Sequence, residues 1–149
     1  MGMNLVPNKG KKDFQRSWWT WRPLWEFAEG VMCDAFTIEE GNAGRYNDGF
    51  EIDGKKAEVL GGRISAMLKA GTAQRYVSDR DAVVKAFPLV ECRICAGTGV
   101  RKDMKVPGGC NGCDGSGKHR RPEAHYTLTV EDVEGLAKFA AKSGGFKFY

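Results

Sequence analysis

Five cysteines occur in this chain of 149 residues, and four of them fall into two pairs, Cys92/Cys95 and Cys110/Cys113. Each pair is the Cys-x-x-Cys spacing that lets one tight turn offer two thiolates. Zinc takes four soft ligands at the corners of a tetrahedron, so two such turns complete a site. Fourteen residues separate Cys95 from Cys110, close to the gap usual in zinc-binding segments. Each pair is followed by glycines at alternate positions, in "CRICAGTG" and "CNGCDGSG". Glycine allows the positive φ angles needed to turn backbone N–H groups back toward the sulfurs. The expected cofactor is one structural Zn2+ per chain, held by Cys92, Cys95, Cys110 and Cys113. A redox pair is disfavoured, because it expects a single Cys-x-x-Cys opening a helix. An iron–sulfur cluster also takes four cysteines, but the symmetric doublet favours zinc. A catalytic zinc needs an open or non-cysteine position; His119 lies nearby, yet four thiolates already fill the shell. Cys33 stands alone and is expected to be a buried apolar cysteine.

The repeat Cys-x-x-Cys-x-Gly-x-Gly resembles the cysteine-rich domain of DnaJ-type co-chaperones, over roughly a fifth of the chain. That family usually carries four repeats and two zinc ions; two repeats imply one ion. The resemblance implies the same four ligands and a small extended β-hairpin. It does not imply co-chaperone activity, since no His-Pro-Asp tripeptide occurs. "WRPLW", "YNDG" and "EDVEGLAKFAAKSGGF" resemble segments of small bacteriophage proteins of unassigned role.

Net charge is +4. From Cys92 to Arg121 seven basic residues face two acids, and the rest of the chain has 16 basic and 17 acidic residues. Four thiolates with their ion bring about −2, so the metallated segment keeps about +3. Arg101, Lys102, Lys105, Lys118, Arg120 and Arg121 are therefore the candidate contacts if the partner is nucleic acid.

All four tryptophans lie in "SWWTWRPLWEF". Trp25 and Leu24 sit on a helical apolar face and belong in a core. Trp18, Trp19 and Trp21 cannot all face one way, and with Arg22 they form the candidate protein-binding surface. No nucleophile or acid–base constellation is evident, so no enzyme activity and no small-molecule substrate are expected. The favoured function is a non-enzymatic, zinc-stabilised adaptor or inhibitor that binds another protein, phage-encoded and acting on a host complex. The alternative is a nucleic-acid binder using the basic zinc hairpin.

These residues need a frame to hold them. The pattern predicts an α+β fold: a small helical domain of three to four helices with an inserted zinc-knuckle hairpin and a short terminal strand. Residues 1–16 read as a flexible lead, 17–90 as the helical domain, 91–121 as the zinc hairpin and 122–149 as a strand and C-terminal helix. Helices are expected at about Pro23–Ala35, from an Asp53 cap to Gly71, from a Ser78/Asp81 capping box to Pro88, and at about Val130–Lys142 after a Thr129/Asp132 cap. "EEGNAGRYNDGFEIDG" reads as loop, "HYTLTV" as a strand, and "FKFY" as a terminal strand. Gly61 and Gly62 signal either a weak helix or close packing. No run approaches the roughly 18–20 apolar residues of a membrane span, and the basic N-terminus lacks the apolar stretch of a signal peptide. The expected location is the cytoplasm.

Overall fold

The computed structural model describes residues 2–102 and 108–149. The chain divides into two units, one formed by residues up to Asp81 together with Tyr126–Tyr149, the other by Ala82–His125. Helices and small antiparallel sheets make it an α+β protein. No helix among the described residues is long and apolar enough to cross a membrane.

The first unit is built on a four-stranded antiparallel sheet, in the order β2-β1-β6-β3. β1 (Gly2–Pro7) and β2 (Phe14–Ser17) form a hairpin where a flexible lead is expected. The reason lies in the alternation of Met3 and Leu5, both fully buried, with half-buried neighbours. An "NKGKKD" turn joins the strands, with Gly10 at φ +97°. β6 (Gly145–Phe148), the expected terminal strand, lies between β1 and β3 (Glu51–Asp53) and buries Phe146 and Phe148.

Five helices belong to this unit in whole or in large part. α1 (Trp18–Val31) begins five residues before Pro23, because Ser17 caps it: the Ser17 side chain accepts from the Thr20 N–H. Pro23 is thus interior, where it has no N–H to offer the Trp19 carbonyl. α2 (Ile38–Ala43) arises in the segment expected as loop. Thr37 and Glu40 form a reciprocal capping box, and the Glu40 carboxylate also receives Lys56 Nζ at 2.6 Å. α3 (Gly54–Ala70) runs as expected from the Asp53 cap to Gly71, left-handed at φ +77°. α4 (Thr72–Lys85) starts at once after Gly71, earlier than the Ser78 cap suggests. Its first turn takes up the terminal carbonyls of α3: the Thr72 hydroxyl bonds Met67 O and the Gln74 amide bonds Leu68 O. α5 (Val130–Ser143) has its Thr129/Asp132 capping box and ends at left-handed Gly144. The "HYTLTV" strand does not form. Residues 122–125 are a 3-10 turn and 126–129 pair with no strand; Leu128 is buried there as a single anchor.

One hydrophobic core joins sheet and helices, with Trp21, Leu24, Trp25, Ile52, Leu60, Ile64, Val133, Leu136, Phe146 and Phe148 at its centre. α3 packs closely on α5 at Gly61, where a Cβ would stand 2.7 Å from Ala141 N and 2.9 Å from Ala137 O. The adjacent Gly62 has nothing within 4 Å of its Cβ position. Opposite results are expected from neighbouring substitutions. Gly61→Ala destabilises by about 1–3 kcal/mol through helix displacement. Gly62→Ala stabilises by up to about 1 kcal/mol through helix propensity. Urea unfolding of the two variants checks both signs.

Candidate metal centre

In the second unit the two cysteine repeats close on each other. A short ladder, β4 (Val90–Glu91) with β5 (Lys118–His119), joins their outer ends. Where the DnaJ-type likeness implies an extended hairpin, the ladder among the described residues is two residues long on each side. The described residues beyond it are two knuckles with nearly identical geometry. Gly97 and Gly99 have φ of 76° and 78°; Gly115 and Gly117 have 77° and 76°. Ala96 and Asp114 are both at 49°.

The hydrogen bonds repeat in the same way. Gly99 N–H donates to Cys95 Sγ at 3.2 Å, and Gly117 N–H donates to Cys113 Sγ at 3.2 Å. Thr98 Oγ1 lies 2.7 Å from Cys95 O, and Ser116 Oγ lies 2.6 Å from Cys113 O. Each knuckle also reaches across to the other: Cys92 N–H bonds Gly117 O at 2.9 Å, and Cys110 N–H bonds Gly99 O at 2.7 Å. The glycines at 99 and 117 therefore have a second reason to be glycine. A Cβ at Gly99 would stand 2.3 Å from Gly115 O, and one at Gly117 would stand 2.2 Å from Gly97 O. Positive φ is legible in the repeat; this interlocking of one repeat with the other is not, nor is the Thr98/Ser116 bracing. The hydroxyl residue at the same place in "GTG" and "GSG" is the signal for the bracing.

The four Sγ atoms all lie within 4.8 Å of one another, and all four cysteines are buried. Cys92 and Cys110 sulfurs are 3.8 Å apart, Cys95 and Cys113 sulfurs 3.7 Å. A tetrahedron with zinc–sulfur bonds of about 2.3 Å has edges of about 3.8 Å. The spacing is too long for disulfides, which need about 2.05 Å, and it suits one ion better than a cluster that places each thiolate on a different iron. The four cysteines form a group that can hold a metal ion. Their acidity points the same way. Burial pushes the Cys110 thiol up to about 11, with the neighbouring sulfurs adding to the effect against the Gly112 N–H. Burial acts likewise at Cys95, but the Gly99 N–H and the surrounding thiols outweigh it and bring that thiol down to about 7. A cation at the centre removes the conflict, since thiolates bound to metal lose their protons to it.

The remaining candidate residues are scattered by comparison. Arg101 bonds the Asn111 side chain at 3.0 Å. Lys102, Lys118, Arg120 and Arg121 are exposed, and the His119 ring bonds the Arg120 carbonyl. Lys105 lies outside the described residues. Cys33 is exposed, contrary to the expectation of burial: it lies beyond the end of α1, in the turn where Met32 takes the buried place beside it.

The tryptophan run separates cleanly. Trp21 is wholly buried and leaves the candidate surface, because its indole N–H donates to Gly44 O at 2.6 Å and its ring stacks on Trp25. Trp19 is 48% exposed and packs on Tyr126 at 5.1 Å between centroids. The Arg22 guanidinium lies 5.1 Å from the half-buried Trp18 ring and 5.7 Å from Tyr126. Tyr126, which the sequence reading passes over, is pinned by Arg80 through its carbonyl at 2.8 Å.

No family model matches this chain, and neither a curated protein nor a solved structure matches it.

Proposed function

We propose that this chain is a non-enzymatic adaptor, stabilised by one structural zinc ion, that binds another protein through the Trp18, Trp19, Arg22 and Tyr126 surface. The observation that carries the reading is the Arg22 guanidinium set between the Trp18 and Tyr126 rings, with half-exposed Trp19 against Tyr126. Trp, Tyr and Arg are the residues most enriched among binding hot spots. Holding them in mutual contact before binding reduces the ordering cost of the complex. Zinc is the proposed ion because four thiolates with tetrahedral spacing match its preferences. The DnaJ-type likeness of the repeats supports that assignment and nothing more. The likeness of the outer segments to small bacteriophage proteins leads us to propose a host protein complex as the partner, inhibited by occlusion.

The test is capture of interacting proteins by wild type and by a Trp19→Ala/Arg22→Ala variant, both checked for folding by near-UV circular dichroism. A protein retained by wild type at high salt and lost from the folded variant supports the reading. Identical captured sets from the two proteins overturn it.

A further inference from the structure

The excess charge assigned by sequence to the cysteine segment hides a second basic region, assembled only by folding. The β1–β2 turn and the exposed side of α5 line an open groove of about 920 Å³ in the first unit. Six cations line it, Lys9, Lys11, Lys12, Arg16, Lys138 and Lys142, although more than a hundred residues of chain separate the two groups. Asp13 is the one acid in the lining. Arg16 is paired with Asp132 at 2.7 Å and Lys138 with Glu134 at 3.4 Å. Lys9, Lys11, Lys12 and Lys142 have no ion-pair partner among the described residues. Counting all three carboxylates, the groove keeps a surplus of three positive charges.

The groove is shaped as well as charged. Gly135 in α5 admits Phe14 and Arg16: a Cβ there would stand 3.1 Å from the Phe14 ring and 3.0 Å from Arg16 Nη2. Phe14 is buried, with the Arg16 guanidinium 4.3 Å from its ring centroid, and it packs at 5.5 Å on half-buried Phe139, which leaves the Phe139 ring as the aromatic part of the floor. The Lys9 stem lies along Gly144, where a Cβ would stand 2.7 Å from Lys9 Cδ, and its backbone N–H bonds Ser143 O at 2.6 Å. The turn is thereby tied to the end of α5 at Lys9.

Unpaired lysines along an open groove with one part-exposed aromatic ring fit a single nucleic-acid strand: ammonium groups on phosphates, the Phe139 ring beneath a base. We propose that this groove binds the phosphate backbone of single-stranded nucleic acid. The site is distinct from the zinc hairpin and from the tryptophan surface, so it stands or falls independently of the adaptor reading.

Labelled oligo-dT binding to the zinc-loaded protein tests it. Four lysine–phosphate contacts give a slope of log K against log salt of about −3, so affinity falls roughly 50-fold between about 50 and 200 mM salt. Lys11→Gln/Lys12→Gln/Lys142→Gln removes three exposed charges. With its circular dichroism unchanged, it is expected to reduce the slope to about −1 and to weaken low-salt binding by at least about tenfold. Arg120→Gln/Arg121→Gln is expected to bind as wild type does. The proposal is overturned if oligo-dT does not bind at low salt, if the triple variant keeps the full slope, or if the arginine variant alone abolishes binding. It is equally overturned if duplex DNA binds more tightly than oligo-dT, or if phosphatidylserine vesicles bind and oligo-dT does not.

Discussion

Cys95→Ser is expected to strip the metal and unfold the two knuckles while leaving the first unit folded. Structural zinc in small sites contributes an apparent binding free energy of about 10–16 kcal/mol at neutral pH, and all of it acts on the segment that closes around the ion. Beyond the cysteines the second unit has little to fall back on. Among the described residues, its buried apolar cluster consists of Cys92, Cys95, Cys110 and Cys113. Because each knuckle donates a backbone hydrogen bond to the other, loss of one ligand loosens both. The buried core of the first unit, among the described residues, is formed by residues from Met3 to Ala73 and from Leu128 to Phe148. Wild type should carry about one zinc per chain, and hydrogen exchange should find protected amides at Cys92, Cys110, Gly99 and Gly117. In the variant, and in wild type after chelation, that protection should vanish. All four tryptophans lie in the first unit, so near-UV tryptophan signals should hardly change. Protected knuckle amides in metal-free protein would refute the dependence on metal. Strong visible absorption from iron would refute zinc.

What could be read in advance was whatever a local pattern encodes. The paired cysteines, the caps at Asp53 and Thr129 and the stop at Gly71 each depend on residues within a few positions of one another, and each appears where the pattern puts it. The errors fall where a distant partner decides. Met3 and Leu5 alternate plainly, yet a basic turn beside them looks like a solvated lead until β6, at the other end of the chain, supplies the neighbouring strand. Thr37 and Glu40 were a legible capping pair masked by the surrounding glycines and acids. Those glycines prove structural: a Cβ at Gly44 would stand 2.1 Å from the Trp25 ring. The direction in which Trp21 points depends on the Gly44 carbonyl, 23 residues away. The basic groove is the same lesson for charge, since no window along the chain contains both Lys11 and Lys142.

The second large effect expected is the contrast between two tryptophans six residues apart. Trp25→Ala should cost about 3–5 kcal/mol, a large part of the roughly 5–15 kcal/mol that holds a typical domain together. Trp25 is 1% exposed, stacks on Trp21 at 5.4 Å and on Phe36 at 5.6 Å, and meets Phe148 edge-on at 5.0 Å. Its indole N–H donates to Gly41 O at 2.7 Å, so truncation leaves both a cavity and a buried carbonyl without its donor. Gly44, at the end of α2, makes room for this ring, and the backbone there cannot collapse onto the space without moving α2. Trp19→Ala loses a half-exposed ring, and its contact with Tyr126 is worth about 0.5–1.5 kcal/mol. Urea unfolding followed by helical circular dichroism measures both. A cost at Trp19 equal to or greater than that at Trp25 would mean that the inside and outside of α1 have been assigned the wrong way round. The expected order has a functional consequence: Trp19 can be removed from a protein that stays folded, so a partner lost with it is lost from the surface and not through unfolding.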